Sequence, residues 1–241
     1  MQIRSKLLKI YLKEEFNPKI IGLFLPGYFM AKEIYRNMLR LMPNLKGRLL
    51  DIGCGSKPHK DMLNVNEHIG IEIDDDGRQN HKYADVLYNG EEMPFDDKSF
   101  DSALASEVLE HVFNPDTLLR ETNRVLKIDG IFLLSTPFLW EEHGQPYDYA
   151  RYTSFGLKYI LEKKGFKIIE QVKCGNGVEV VFQKLSNYFF RAFKLKFPFV
   201  IIIFLIIFPI NIIGLIVSKI LPRNNDMYLS NIILAKKVSD L

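Results

Sequence analysis

The sequence predicts an α/β chain in which short buried strands alternate with helices and build a mostly parallel sheet. Three observations predict it. Residues 49–58, Leu-Leu-Asp-Ile-Gly-Cys-Gly-Ser-Lys-Pro, carry an apolar run that ends in an acid and then in two glycines one residue apart. Such a run is a buried strand turning into a glycine loop, where backbone can lie against a flat, polar ligand. A second apolar run, His68-Ile69-Gly70-Ile71-Glu72, ends in another acid. An acid about 20 residues past a glycine loop is the spacing that grips ribose hydroxyls in dinucleotide folds. Later segments keep the alternation. Residues 131–135 form an apolar run, 154–165 have a helical pattern, 166–169 start another strand, and 227–236 form a last one.

The glycine loop narrows the ligand. A dinucleotide loop has three glycines and sets the pyrophosphate on a helix N-terminus. Here Gly53 and Gly55 are followed by Ser56, Lys57, Pro58 and His59, with no third glycine. Asp51 just before the loop would repel a pyrophosphate, since like charges repel. It suits a ligand that presents a cation and an amine, as S-adenosylmethionine does. Cys54 reads as a small packing residue rather than a nucleophile.

Several motifs in order then resemble those of the class I S-adenosylmethionine-dependent methyltransferases. Asp51-x-Gly53-x-Gly55 is similar to the first motif of that family, and Glu72 matches its ribose acid. Asp85, in Ala84-Asp85-Val86, resembles the acid placed near the adenine amine. Residues 93–101, Met-Pro-Phe-Asp-Asp-Lys-Ser-Phe-Asp, are similar to the stretch that leads into the fourth strand. Residues 107–112 resemble the segment that closes over the cofactor. Residues 124–130 resemble the helix end before the fifth strand, with Asp129 where glycine is more usual. Two departures stand out. Lys57 occupies the third glycine position, and the gap from Asp85 to Pro94 is a few residues long. The resemblance implies a Rossmann-like, seven-stranded, mostly parallel sheet with helices on both faces. It implies that the last strand returns antiparallel between the fifth and sixth. It also implies S-adenosylmethionine as cofactor, contacted by Asp51, Gly53, Cys54, Gly55, Glu72, Ile73, Asp85, Val86, Ser106, Glu107 and His111.

Composition bounds the rest. A chain of 241 residues suits one core domain with additions, and 47% apolar content excludes disorder. Two cysteines, Cys54 and Cys174, make no disulfide framework, so a reducing compartment is expected. Residues 1–20 lack the layout of a signal peptide, being interrupted by Lys9, Lys13, Glu14 and Glu15. The net charge of +3 hides an asymmetry. Residues 1–20 carry five basic and two acidic side chains, 180–225 carry six and none, and 21–179 carry 19 and 25. An acidic core is a poor partner for nucleic acid, whereas basic flanks beside apolar sequence suit anionic lipid.

That apolar sequence is 197–218, 22 positions without a charge. Its length and composition fit a membrane helix. Pro209 and Asn211 interrupt its middle, and a strand that rejoins the sheet requires both ends on one side of the bilayer. A shallow hairpin turning near Pro209 meets that requirement. Before it, Phe182, Leu185, Phe189 and Phe193 fall on one helical face and Lys184, Asn187, Arg191 and Lys194 on the other, the pattern of an interfacial amphipathic helix. Packing over the sheet or a dimer contact is the competing reading. In residues 1–40, Lys6, Lys9 and Lys13 recur at helical spacing, and 24–29 read as a break between two helices. Asp96 with Asp97, and Asp74 to Asp76, read as solvated turns. The expected organisation is a helical cap (1–44), the core (45–179), a membrane-associating insertion (180–225) and the final strand with its tail (226–241).

In open α/β sheets ligands bind at the carboxyl ends of the strands. The loop after the fifth strand is rich in chemistry: aromatics, a histidine, acids and an arginine within residues 140–153. His143 is the expected general base, because its ordinary pKa lies near neutrality. Asp148 is expected to orient or replace it, and Arg151 to hold an acidic acceptor. Roles confined to the loop, with His143 bonded to it and Arg151 paired to Asp148, are the competing reading. Glu107, Glu110 and His111 also resemble a cluster that some quinone-type O-methyltransferases use around a divalent metal, but the same letters recur in methyltransferases without one, and no metal is expected. The expectation is therefore methyl transfer, as O-methylation of a small or lipid-linked acceptor, at the cytoplasmic face of a membrane. Loop and insertion together are similar to methyltransferases of bacterial cell-surface polysaccharide assembly. The rivals are a quinone or polyprenyl-phenol O-methyltransferase and a non-catalytic cofactor-binding scaffold.

Overall fold

A computed structural model describes residues 20–74, 82–193 and 200–241. The strands are β1 (Arg48–Ile52), β2 (Glu67–Ile73), β3 (Val86–Tyr88), β4 (Phe100–Ser106), β5 (Leu126–Pro137), β6 (Phe166–Cys174) and β7 (Ser230–Lys237). The α-helices are α1 (Tyr28–Leu41), α2 (Pro115–Val125), α3 (Ser154–Lys163), α4 (Gly177–Ala192) and α5 (Val200–Ile220). The sheet runs β3-β2-β1-β4-β5-β7-β6. β1 pairs in parallel with β2 and β4, β2 with β3, and β4 with β5. Leu229 N donates to Cys174 O, and Val238 N to Gly165 O, so β7 runs against β6. The seven-stranded sheet and the last strand returning between the fifth and sixth are those the resemblance implied.

The chain divides into two compact units. One comprises Leu39–Val172 and Asn231–Leu241, and the other the residues up to Met38 with Lys173–Ser230. In the first, the central strands are buried on both faces, which is why they read as unbroken apolar runs. Leu49, Leu50, Ala103, Leu104, Phe132 and Leu133 have no exposed surface. Leu118, Leu119, Leu157 and Leu161 bring α2 and α3 onto the same core. Each helix starts on a side chain that takes an orphan amide. Asn114 accepts from Thr117 N and Thr153 from Gly156 N. Between Phe100 and Ser102 the β4–β5 register shifts, and there Asp129 takes a left-handed backbone (φ +65°). That is the conformation glycine would serve in the resembled motif, and aspartate tolerates it better than most residues. Asp97, read as part of a solvated turn, accepts from Arg124, which also donates to the carbonyls of Met93 and Phe95.

In the second unit a short 3-10 turn, Ile20–Phe24, precedes α1, as the break read at 24–29 requires. Gln183 on α4 takes the first amides of α1: its Oε1 accepts from Phe29 N and Met30 N, and its Nε2 donates to Pro26 O and Asn187 Oδ1. One residue of the expected polar face is placed otherwise, Asn187, while Leu185 and Phe193 of the apolar face are exposed. Gln183, Ser186 and Asn187 are buried, while Val181, Leu185 and Tyr188 are exposed. Helix-end amides and a polar network outbid the apolar stripe, because a buried unbonded amide costs more than an exposed leucine. The hairpin near Pro209 is also corrected. α5 runs unbroken through Pro209 for 21 residues. Asn211 does not break it; its amide donates to the carbonyls of Leu23 and Leu25, and its oxygen accepts from Ser186. One face of α5 packs through Ile203, Ile207 and Gly214, with Phe24 stacked on Phe208. Ile201, Leu205, Ile213, Ile216 and Ile220 on the remainder are exposed. Lys6, Lys9, Lys13, Asp75, Asp76, Lys194 and 197–199 lie outside the described residues.

Lys237 near the end of β7 is fully buried, and its Nζ donates to Asn123 O (2.6 Å) and Leu126 O (2.9 Å). Charge-assisted bonds of this kind contribute about 1.5–3 kcal/mol each. Lys237→Met should therefore lower the unfolding free energy by about 3 kcal/mol, read as an earlier urea midpoint at unchanged slope.

Candidate functional site

Register assembles the site. Ile52 stands opposite Ile71 on one side and Ala105 on the other. The next residue on each strand is Gly53, Glu72 and Ser106, so three site residues leave the sheet at one edge. Gly53 (φ +62°) and Gly55 (φ +51°) are left-handed, and Lys57 (φ +54°) keeps the same backbone at the third position. A side chain on Gly53 would lie 2.6 Å from Val108 Cγ2, so only glycine admits the 107–112 segment over the loop. Glu72 Oε1 accepts from Gly55 N at 2.6 Å, holding the carboxylate beside the loop. Ile73 ends β2 opposite Tyr88, and it packs with Val86 against the core.

Two acids are placed differently from the expectation. Asp51 is buried and takes His68 Nε2 at 2.8 Å, under the loop rather than at its surface. Burial raises its carboxyl above the usual range, against the opposing effect of His68. Asp85 precedes β3, at the level of Gly70 and Asp51, and bonds Gly70 N (2.7 Å) and Lys57 Nζ. The residues between Asp85 and Pro94 carry the strand itself, so Asn89 follows its carboxyl end. There Asn89 lines a cleft of about 370 Å³ with Asp74, Leu87, Tyr88, Glu92 and Pro94. Cys54 is buried, and burial with the nearby Asp51 and Glu72 charges pushes its thiol up to about 12, which removes it as a nucleophile.

Beyond β4, Glu107 turns the chain with φ +55°, and its N–H is satisfied by Ser135 O (3.0 Å) and Ser135 Oγ (3.1 Å) at the end of β5. The 3-10 turn Leu109–His111 follows. Glu110 is fully buried, and among the described residues Glu110 Oε1 has no hydrogen-bond partner. His111 Nδ1 meets Tyr147 O at 2.6 Å, which makes Nδ1 the protonated nitrogen and leaves Nε2 with its lone pair. His143 comes from the loop after β5. His143 Nδ1 faces Glu141 O (3.2 Å) and Asp148 Oδ2 (3.4 Å), and His143 Nε2 faces Glu110 Oε1 (3.6 Å). The Glu110 carboxylate raises the His143 imidazole above its usual range, against the effect of burial. The two rings meet edge to face at 4.7 Å. Gly144 (φ +60°) makes this approach feasible, since a Cβ there would lie 2.8 Å from His111 Cε1. Asp148 and Arg151 serve the loop. Arg151 binds both carboxylate oxygens (2.5 and 2.7 Å) and holds Asp148 down at about 2, and Asp148 Oδ2 accepts from His143 N.

A family model described as a methyltransferase domain matches residues 50–134. An uncharacterised protein of Methanocaldococcus jannaschii is 34% identical over 142 residues, covering 52% of this chain and 67% of that protein. A probable S-adenosylmethionine-dependent methyltransferase of Mycolicibacterium smegmatis is 31% identical over 152 residues, covering 57% of this chain and 59% of that protein. The chain belongs to the class I S-adenosylmethionine-dependent methyltransferases. A crystallised methyltransferase from Archaeoglobus fulgidus shares the fold, with a TM-score of 0.53 over 95% of this chain and 99% of that one, at 19% identity. Another Methanocaldococcus jannaschii relative is matched over only 38% of its length.

S-adenosylmethionine is the cofactor of this methyltransferase family, and the loop fits it. Among the described residues β1 is followed by the 3-10 turn Lys60–Met62 and not by an α-helix, so there is no helix N-terminus to hold a pyrophosphate. The three left-handed residues open the loop toward a flat ligand, and Glu72 stands beside it, held by Gly55 N. Behind the loop of the methyltransferase, sequence reading missed His59. It is buried, and its Nε2 meets Ser106 Oγ (3.1 Å), which meets Ser135 Oγ (3.2 Å). A histidine four residues past the last glycine of the loop carries no pattern that separates it from a surface one.

Burial lowers His59 to about 4, against about 6.5 in the unfolded chain. Its contribution is complete above pH 6.5 and is lost as pH falls through 4, an effect of roughly 3 kcal/mol. Urea unfolding at pH 7 and pH 4 should show a smaller pH-dependent loss in His59→Gln than in the parent.

Proposed function

We propose that this chain transfers a methyl group from S-adenosylmethionine to an oxygen of a small or lipid-linked acceptor at the cytoplasmic face of a membrane, with a cell-surface glycan precursor as the favoured acceptor. The observation that carries the reading is the pairing, at one edge of the sheet, of a glycine loop with Glu72 and a Glu110–His143 pair able to take a proton. Bound S-adenosylmethionine supplies a methyl carbon on a positively charged sulfur. His143 Nε2 stands to take the proton of an acceptor hydroxyl, whose oxygen would receive that methyl group. Glu110 behind the ring stabilises the imidazolium that forms, and Asp148 with Arg151 holds the loop that positions it. Tyr147, Tyr149 and Tyr152 offer flat faces for a sugar or ring.

Glu72→Ala should weaken S-adenosylmethionine binding about 10- to 100-fold by titration calorimetry, the loss of a charge-assisted bidentate contact. No measurable binding by the parent protein would instead favour the scaffold reading. A labelled-methyl assay on membrane extracts separates acceptors: label in a glycolipid fraction supports the favoured one, and label in a quinone fraction supports the rival.

The membrane part rests on α5, which is long and apolar enough to cross a bilayer and buries only 22% of that stretch. Its exposed isoleucines and leucines, flanked by Lys219 and Arg223, suit a helix lying in a headgroup boundary. The protein should float with anionic vesicles and less with neutral ones. Remaining at the bottom of the gradient with both would end this part of the reading.

A further inference from the structure

We propose that Lys57 and Asp85 form an ion-paired strut that positions the glycine loop for its cofactor, with Lys57 as the positioning residue and Asp85 as its anchor. The inference rests on S-adenosylmethionine as the cofactor of the family and not on the acceptor.

The way the loop is tied to β2 carries it first. Gly53 N (2.9 Å) and Cys54 N (3.4 Å) donate to Ile71 O, and Gly55 N donates to Glu72 Oε1. Beyond Gly55 the tie is indirect: the Lys57 ammonium pairs with the Asp85 carboxylate. Asp85 is itself fixed at two points, since its Oδ2 accepts from Gly70 N (2.7 Å) and its N donates to Gly70 O (2.8 Å). The strut thus runs from the loop, through Asp85, into the middle of β2, where Gly70 stands opposite Asp51. Asp51 is taken by His68, so it does not compete for the ammonium.

Space is also made for the strut. A Cβ on Gly70 would lie 2.6 Å from Lys57 Cε and 2.6 Å from Cys54 Sγ. Glycine inside a strand weakens it and often marks a close approach, and here the approaching group is the lysine stem. Lys57 is left-handed (φ +54°), a conformation that costs a non-glycine residue free energy and persists where the surroundings fix it. A lysine that only filled this backbone position would extend into water, yet the Lys57 side chain is only 14% exposed. Burial opposes ionisation of Asp85, but the Gly70 amide and Lys57 hold its carboxyl below the usual range. Without the strut, cofactor binding would have to order the loop first, which lowers affinity without any lost contact to the ligand.

The test is titration calorimetry of S-adenosylmethionine, and of its demethylated product S-adenosylhomocysteine, into the full chain. Lys57→Met keeps the stem over Gly70 and removes the charge, and Asp85→Asn keeps an acceptor for Gly70 N. Each should weaken both ligands ~10-fold, and the double variant by the same ~10-fold instead of ~100-fold, because the two groups act as one. Lys57→Gly eases the left-handed backbone but removes the strut, so it should weaken binding by about the same factor. Binding within about threefold of the parent in both charge variants, an additive double variant, or Lys57→Gly equal to the parent overturns the strut. A loss confined to S-adenosylmethionine also overturns it, since only that ligand carries the sulfonium and the effect would then be direct charge and not positioning. Hydrogen exchange without ligand is the second readout. The segment 50–60 should exchange ~10-fold faster in the variants while β5 is unchanged, and unchanged exchange of 50–60 overturns the strut. If one variant does not fold, the other charge variant decides. If the parent binds neither ligand, the methyl-transfer reading falls, and exchange still decides the strut.

Discussion

β1 lies between β2 and β4, parallel to both, and the candidate site depends on that register. Because Ile52 faces Ile71 and Ala105, the loop glycine Gly53, Glu72 and Ser106 emerge together. Side chains alternate faces along a strand, so a slip of one residue in β2 would carry Glu72 to the opposite face and leave Gly55 N without its carboxylate. The apolar runs that make these strands legible also set the register, since each must bury Leu49, Leu50, Ile71 and Leu104. Core packing and ligand geometry are thus one constraint here.

The energetic tension lies in polar groups carried inside that frame. His59 is kept neutral by burial, and among the described residues Glu110 Oε1 is buried beside two rings without a hydrogen bond. Lys237 shows the contrasting case: its charge is equally buried, but carbonyls and Asp240 meet it. A buried charge with partners fastens strands, whereas a buried polar atom without them is available for chemistry.

Much of this was legible in the sequence, because it rests on periods and short spacings. The buried strands and the glycine loop with Glu72 belong to that class, and the returning β7 followed from the family resemblance those motifs carried. Where the chain departs from glycine at Lys57 and Asp129, the backbone stays left-handed, so the motif survives in conformation though not in letters. What was not legible depends on distant partners. Asp85 looked like an adenine contact until β3 began after it. Asn187 looked solvent-facing until Gln183 claimed it, and Pro209 looked like a turn although α5 continues through it. The meeting of His143 with Glu110 joins residues 33 apart in sequence, and no local pattern announces it.

The position of β7 has a consequence for the order of events in folding. β5 and β6 are not neighbours; β7 stands between them, and α4 and α5 are made before it. During synthesis, β1 to β5 can pair as each emerges, but β6 has no place in the sheet until β7 arrives. The interval leaves a strand edge and the apolar length of α5 exposed together, the state in which chains seek wrong partners. The order of the elements along the chain, and not only their final packing, thus bears on how this protein reaches its fold.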